Sequence, residues 1–343
     1  MSSIVAASNP DSMKQSAAAS SISIIRSEES SRPLALPPRP PELLRPRIPP
    51  RSSCRLNIRL RIITIRPMKS HHPTGTISGA TTLVGILADP IAHIQTPQRL
   101  NAWFRDEGCD AVLVPMHVTA NDLERLVEGA RRIQNLGGLI VTVPHKESMT
   151  RLCDRLGEEA AMTGAVNAVQ RMPDGRLLGE NFDGKGFVGG LRGRGIDPKG
   201  HDVLLAGAGG AARAIGFALA RERIGSLVIA NRNRDRAQEL ADSIHRNFPQ
   251  LPIAATRDEA PGPFSLIVNA TTLGMKESDE IPVAESLLRP GMVVAEAVMK
   301  PARTKLLDKA ERHGCHVHEG RHMLEAQIEL LGRFVLGSRQ SQS

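Results

Sequence analysis

The sequence predicts an α/β protein with two lobes, an N-terminal α/β domain and a doubly wound parallel-sheet domain, with a cleft between them. Three observations predict it. From Leu83 onward, short β-branched apolar runs alternate with stretches of helical periodicity, the pattern of strands joined by helical crossovers. Around Gly207, an apolar run enters a glycine turn that leads into an alanine-rich helix. Before that turn, Pro173-Asp174-Gly175 separates two short apolar runs and marks a hairpin.

In the first lobe Leu83–Leu87, Ala111–Pro115 and Gly138–Val143 read as strands, rich in branched residues and bounded by Gly or Pro. Helices fall near Pro97–Asp106 and Asn121–Ile133. Asn121 is a candidate N-cap, with Glu124 three residues on completing a capping-box pattern. Ala165–Gln170 and Arg176–Glu180 are the arms of the hairpin. In the second lobe, strands fall near Val203–Ala206, Leu227–Ala230, Leu266–Ala270, Val293–Ala297 and His316–His318, and a last helix covers about His322–Leu336. The alternation implies parallel sheets with right-handed crossovers, and ligands of such sheets bind beyond the carboxyl ends of the strands. The first lobe spans 80–183 and is completed by a C-terminal segment at 320–343; the doubly wound lobe spans 184–319; a leader covers 1–79.

The glycine turn reads Gly207-Ala208-Gly209-Gly210-Ala211-Ala212. Gly207 permits the tight turn, Gly209 lets the backbone approach a pyrophosphate, and Ala212 lets the helix pack closely on its strand. The first helical amides then point at the phosphates. A strand before it and a helix after it favour a Rossmann-type dinucleotide site over a turn kept only for packing. At the end of the next strand an NAD-preferring fold carries Asp or Glu for the ribose 2′-hydroxyl. This chain instead offers Asn231-Arg232-Asn233-Arg234-Asp235-Arg236. Asn231, Arg232 and Arg236 suit a 2′-phosphate, which guanidinium forks bind with charge and geometry together. The expected cofactor is NADP.

The formal charge of +8 over 343 residues does not point to nucleic acid. Residues 1–70 hold 12 Lys/Arg and 4 Asp/Glu, and the remainder is balanced at 32 of each sign. A neutral body lacks the basic footprint of phosphate-backbone binding. Tyr is absent and Trp103 is single, which argues against a base-stacking platform. No stretch reaches the ~18 apolar residues of a membrane span. Cys54, Cys109, Cys153 and Cys315 show no pairing pattern, which fits a reducing compartment and a cytoplasmic location. The Ser/Pro/Arg-rich leader has the composition of a segment unable to bury a core. It reads either as a targeting segment or as sequence upstream of a start at Met68.

Three segments at strand ends carry chemistry. Lys146 follows Val141-Thr142-Val143-Pro144-His145, where a lysine in apolar surroundings can serve as a proton carrier. Asn167 closes Gly164-Ala165-Val166-Asn167 and offers donors and an acceptor to a polar ligand. Asp183 lies in Asn181-Phe182-Asp183-Gly184, where the chain crosses between lobes. Alone, each has a plainer reading: a surface lysine, a buried amide, a helix-capping Asp. Together, Lys146 and Asp183 make an ion pair able to orient a hydroxyl and take its proton as hydride leaves.

These motifs, with Gly85–His93, Asn269-Ala270-Thr271 and Met323-Leu324-Glu325-Ala326-Gln327, resemble the shikimate dehydrogenase family along nearly everything from Leu83 to Gly337. The resemblance implies reversible NADP-linked oxidation of an alicyclic secondary alcohol to a ketone, shikimate to 3-dehydroshikimate in the typical member, within aromatic amino acid biosynthesis. It implies Lys146 and Asp183 as the catalytic pair and Thr142, Asn167 and Gln327 as binders of substrate hydroxyls. Gly320 and the segment around Ala297 would lie near the nicotinamide, and Thr271 is a further cofactor-binding residue.

The departures fall on the ligand side. His93-Ile94-Gln95-Thr96-Pro97 stands where the family reads His-Ser-x-Ser-Pro, whose serines hold the substrate carboxylate. Thr96 keeps a hydroxyl and Ile94 has none. Ile140 replaces an Asn, Phe182 a Thr, and Met299 a Tyr that helps bind the carboxylate. Losing two charge-assisted hydrogen bonds of about 1.5–3 kcal/mol each weakens recognition by about two to four powers of ten. This predicts a diverged member whose substrate is less polar there, unless Gln95, Thr96 or Arg99 compensates. Two other readings stay open. An NADPH-binding regulatory module needs neither Lys146 nor Asp183, and a folate-type dehydrogenase leaves Asn167, Asp183 and Gln327 unexplained. The expected partner is a small alicyclic molecule, not nucleic acid or membrane, with a homodimer left open.

Weaker signals read as structure. His313, His316, His318 and His322 look like a solvated strand rim rather than a metal cluster. Arg131-Arg132 reads as a solvated helix face and Asp308/Arg312 as a surface pair. Met299 and Met323 read as packing residues, with Met299 also able to line the site.

Overall fold

The structure, a computed structural model, describes residues 76–257 and 262–337. Most of the leader at 1–79 and the end of the C-terminal segment therefore lie outside the described residues. The described residues belong to one compact unit that contains two six-stranded sheets.

The first sheet contains β1 (Thr82–Ala88), β2 (Ala111–His117), β3 (Leu136–Val141), β4 (Arg155–Leu156), β5 (Ala168–Arg171) and β6 (Leu177–Glu180), in the order β2-β1-β3-β5-β6-β4. β1, β2 and β3 are parallel because α1 (Thr96–Asp106) and α2 (Leu123–Ala130) cross between them. β5 runs antiparallel to both β3 and β6. The sheet is thus mixed rather than wholly parallel, since the hairpin at Gly175 (φ +86°) reverses the chain.

Several predicted ends shift, two of them for reasons the structure makes plain. The third strand stops at Val141, because the chain leaves the sheet through Val143-Pro144 to start α3 (Lys146–Leu152). α2 starts at Leu123 behind Asp122, with no side-chain cap; Asp122 instead accepts from Thr119 Oγ1 at 2.8 Å. α3 and α4 (Glu158–Thr163) are too short for periodicity to reveal.

The second sheet contains β7 (Asp202–Ala206), β8 (Ser226–Ala230), β9 (Ile253–Thr256), β10 (Leu266–Asn269), β11 (Val293–Glu296) and β12 (His316–His318). All are parallel, in the order β12-β11-β10-β7-β8-β9. This is the doubly wound Rossmann order, and its direction reverses between β7 and β10, where such sheets bind ligands. β7 is buried on both faces, which explains its unbroken apolar run. Val203 and Leu205 join Phe187, Ile215 and Phe217 on one side, and Leu204 and Ala206 join Val294, Leu306 and Leu307 on the other.

α5 (Asp183–Gly193), α6 (Gly210–Arg221), α7 (Arg234–Asn247) and α8 (Lys305–Arg312) accompany this sheet, and α9 (Arg321–Leu336) returns to the first lobe. Leu324, Ile328, Leu331 and Val335 of α9 share a core with Val84, Ile86, Leu100 and Phe104, whereas Met323 joins the Phe187 core. One helix therefore ties both lobes together.

Three expectations are corrected. Arg131 is half-buried and donates to Asp154 at 2.5 Å and to Leu152 O at 2.8 Å, stitching α2 to the segment before β4. Asp308 takes Arg303 at 3.2 Å, and Arg312 reaches only the Asp308 main-chain oxygen. His318 is no rim residue. It is buried between Phe187 and His322, its ring nitrogens meet no protein partner, and burial pushes its pKa down to about 4. It is a neutral imidazole at physiological pH. Among the described residues no cluster of three metal-ligating side chains occurs.

Candidate active site

The strand-end residues converge through the β3–β5 pairing. Val141 N donates to Asn167 O at 2.8 Å, and Val166 N donates to Lys146 O at 2.9 Å. These bonds place the start of α3 beside the start of β5. Lys146 Nζ then donates to Asp183 Oδ2 at 2.5 Å. Asn167 Nδ2 donates to Asp183 Oδ1 at 2.9 Å and to Gln327 Oε1 at 3.3 Å, while Asn167 Oδ1 accepts from Phe182 N at 2.9 Å. Asn181, which the sequence reading passed over, fixes Asp183 from below by accepting its backbone N–H at 2.9 Å.

Asn167, Asp183 and Gln327 are buried; the Lys146 side chain keeps 18% of its surface exposed. A buried carboxylate is tolerable because its oxygens are met by an ammonium and an amide. Gln327 reaches the cluster because α9 lies close on α5 at Gly186, where a Cβ would meet Met323 O at 2.7 Å. The arrangement leaves Lys146 as the open end of a rigid hydrogen-bonded set. Such a group can hold a hydroxyl and move its proton.

Thr96 is buried at the start of α1 and Thr142 half-buried after β3; neither hydroxyl has a hydrogen-bond partner among the described residues. Three of the four apolar replacements pack in or against a core. Ile140 and Phe182 lie in the α9 core, Ile94 packs against it, and the Phe182 ring meets Phe334 edge-on at 5.3 Å. Met299 is outside the cores and 39% exposed. Arg99 is engaged by Glu325 at 3.0 Å.

On the cofactor side, Gly207 has φ +113°, and a Cβ there would meet Ala270 O at 2.9 Å. Ala208 follows it in the turn, and Gly209 precedes α6, whose first residues are Gly210 and Ala211. Cβ atoms on Gly209 or Gly210 would meet nothing within 4 Å, so open space lies before the helix terminus. Asn231 follows β8 and donates to Asn233 O at 2.7 Å; Asn233 in turn caps α7. Arg232 and Arg236 are exposed and make no salt bridge among the described residues. Thr271 and Ala297 lie just after β10 and β11, and Gly320, before α9, lies so close to the segment after β11 that a Cβ would collide with Val298 O. A tight glycine turn, an open helix terminus and uncommitted guanidinium groups fit a dinucleotide with a 2′-phosphate.

A doubly wound nucleotide lobe coupled to an α/β lobe with a Lys-Asp-Asn-Gln cluster defines a two-lobed dinucleotide-binding protein. Residues 86–169 match the family model described as shikimate dehydrogenase substrate binding domain, and residues 194–260 match shikimate / quinate 5-dehydrogenase. The shikimate dehydrogenase (NADP(+)) of Rubrobacter xylanophilus is 42% identical over 252 residues, covering 72% of this chain and 88% of that protein. Among solved structures, ligand-free 5-ketofructose reductase from a Gluconobacter species is 31% identical with a TM-score of 0.69, over 75% of this chain and 93% of that one. Shikimate 5-dehydrogenase from Thermus thermophilus, in complex with NADP(H) and shikimate, is 29% identical with a TM-score of 0.66, over 74% and 93%. The chain belongs to the shikimate dehydrogenase family.

Proposed function

We propose that this chain is an NADP-dependent dehydrogenase acting on an alicyclic secondary alcohol, shikimate or a related substrate less polar where the carboxylate would sit. The Lys146–Asp183 contact, held by Asn167, carries the reading. A purely regulatory nucleotide-binding module would have no use for it. When bound, NADP supplies the hydride acceptor. Lys146 Nζ holds the substrate hydroxyl, and the hydroxyl proton passes to the Lys146–Asp183 pair as hydride leaves the carbon. In the reverse direction the pair returns the proton to the carbonyl oxygen. Asn167 and Gln327, fixed by each other, bind neighbouring hydroxyls, and Thr142 and Thr96 add hydroxyls that the protein leaves uncommitted.

Support for the less polar substrate comes from charge. Lys146 pairs with Asp183 and Arg99 with Glu325, so each of these two cations already faces a carboxylate of the protein. NADPH formation by the full chain with shikimate, quinate and carboxylate-free cyclohexenols tests this. Turnover of a neutral alcohol and poor turnover of shikimate are expected; micromolar KM for shikimate would sink the divergence argument. Arg232→Ala with Arg236→Ala should raise KM for NADP+ by about 10–100-fold, from the loss of charge-assisted bonds to phosphate, and leave NAD+ use unaltered. Equal effects on both cofactors would remove these arginines from 2′-phosphate recognition.

We place the substrate lobe at 80–183 with 320–343, and the cofactor lobe at 184–319. Cytoplasmic residence fits the reduced thiols of Cys153 and Cys315. Among the described residues no helix is long and apolar enough to cross a membrane. Self-association as a homodimer is read directly by sedimentation.

A further inference from the structure

Glu296 ends β11, a strand otherwise made of Val293, Val294 and Ala295, and has no exposed surface. It touches no member of the proton-transfer cluster. Its Oε2 accepts from Asn269 Nδ2 at 2.9 Å and from Val298 N at 3.4 Å, and its Oε1 accepts from Thr304 Oγ1 at 2.7 Å. Asn269 passes the constraint on. Its Oδ1 accepts from Thr271 N at 2.9 Å and Thr271 Oγ1 at 2.7 Å, and its Nδ2 also reaches Leu273 O at 2.9 Å. Thr304 caps α8 by accepting from Leu307 N. The turn so held borders the glycine turn: a Cβ on Gly207 would lie 2.9 Å from Ala270 O and 3.2 Å from Thr271 N.

We propose that Glu296 is a positioning residue of the cofactor side, whose carboxylate binds Asn269, the Val298 amide and Thr304 together and so sets the Ala270–Leu273 turn against the Gly207 turn. The proposal rests on the NADP reading above. All three partners donate to Glu296, which is the arrangement an ionised carboxylate needs and a neutral acid cannot fully use. On protonation, the new O–H must donate to Thr304 Oγ1, and that hydroxyl loses its acceptor. The groups facing Glu296 are Asn269 from β10, Val298 after β11, Thr304 at the start of α8 and Gly274 from the loop after β10, and none is charged.

Burial pushes the Glu296 carboxyl up to about 7, against the hydrogen bonds from Thr304, Asn269 and Val298. The two consequences run in opposite directions. The turn is held best above pH 7, with the carboxylate ionised. Folding stability from this group is fully present below the ordinary range near 4.5 and is lost as pH rises to about 7, because the folded state favours the proton. A group that weakens the fold where it best orders the turn is a candidate for function rather than packing.

Glu296→Gln mimics the protonated acid, since its amide can accept from Asn269 and donate to Thr304. NADP+ titrations of wild type and Glu296→Gln at pH 6 and pH 8, with melting curves of the cofactor-free proteins, test the proposal. At pH 8 the variant should bind about ten-fold more weakly, the scale of one charge-assisted bond, while melting no lower than wild type. At pH 6 the two should converge. Equal affinities at both pH values, or a loss equal at both and accompanied by a lower Tm, would overturn the positioning role alone. Failure of the wild type to bind NADP+ would overturn the cofactor reading and this proposal with it.

Discussion

Replacing Lys146 by alanine should lower kcat by about 10²–10⁴-fold, the range of a lost positioned proton-transfer group, with NADP+ affinity nearly unchanged. The Nζ atom lies 2.5 Å from Asp183 Oδ2 and is the partly open end of an otherwise buried cluster. Removal therefore deletes the group that meets the substrate oxygen and also leaves a buried carboxylate with Asn167 as its remaining side-chain donor. An unpaired buried charge costs about 3–5 kcal/mol, so the alanine variant is also expected to melt lower. Asp183→Asn separates the two effects, because it removes the charge with the ammonium still present. Its kcat should fall by a similar factor while its Tm falls less. Turnover of Lys146→Ala within ten-fold of wild type would remove Lys146 from the chemistry. Loss of NADP+ binding in parallel with kcat would show that the residue serves the fold instead.

The parts of the site legible in the sequence are those with short-range signatures. The Gly207 turn could be read because strand, glycines and helix follow one another within a dozen residues, and β7 because burial on both faces leaves no polar interruption. Asn167 and Gln327 are 160 residues apart, and no periodicity connects them; only the order of motifs did. Burial was the least legible property. Ile94, Ile140 and Phe182 stood out in the sequence for the polar residues they replace, and nothing in their neighbours showed that they also pack in or against the core that α9 shares. His318 looked exposed from its His-x-His spacing, although α5 and α9 bury it. Glu296 carried one overlooked signal, an acid closing an otherwise apolar strand run. An acid in that place is either at the surface or held by several donors, and the sequence cannot tell which without the loop that returns Thr304 to it.

The other large effect belongs to Gly207. Gly207→Val should lower Tm by several degrees and weaken NADP+ by at least about 100-fold. The backbone there has φ +113°, a conformation that costs an L-residue about 1–3 kcal/mol, most for a β-branched one. A Cβ would also sit 2.9 Å from Ala270 O and 3.0 Å from its carbonyl carbon, and backbone cannot give way as a flexible side chain can. Relief requires the β7–α6 turn to move off β10, which shifts the first amides of α6 away from the phosphates they would bind. Gly210→Ala is the control. Nothing beyond its own helix and chain neighbours lies within 4 Å of its Cβ position, so the fold should be unaffected, while the methyl group enters the open space before the helix. Thermal melts and NADP+ titrations of both variants distinguish the cases. Unchanged Tm and affinity in Gly207→Val would refute the strain argument. Unchanged affinity in Gly210→Ala would move the phosphates away from that helix terminus.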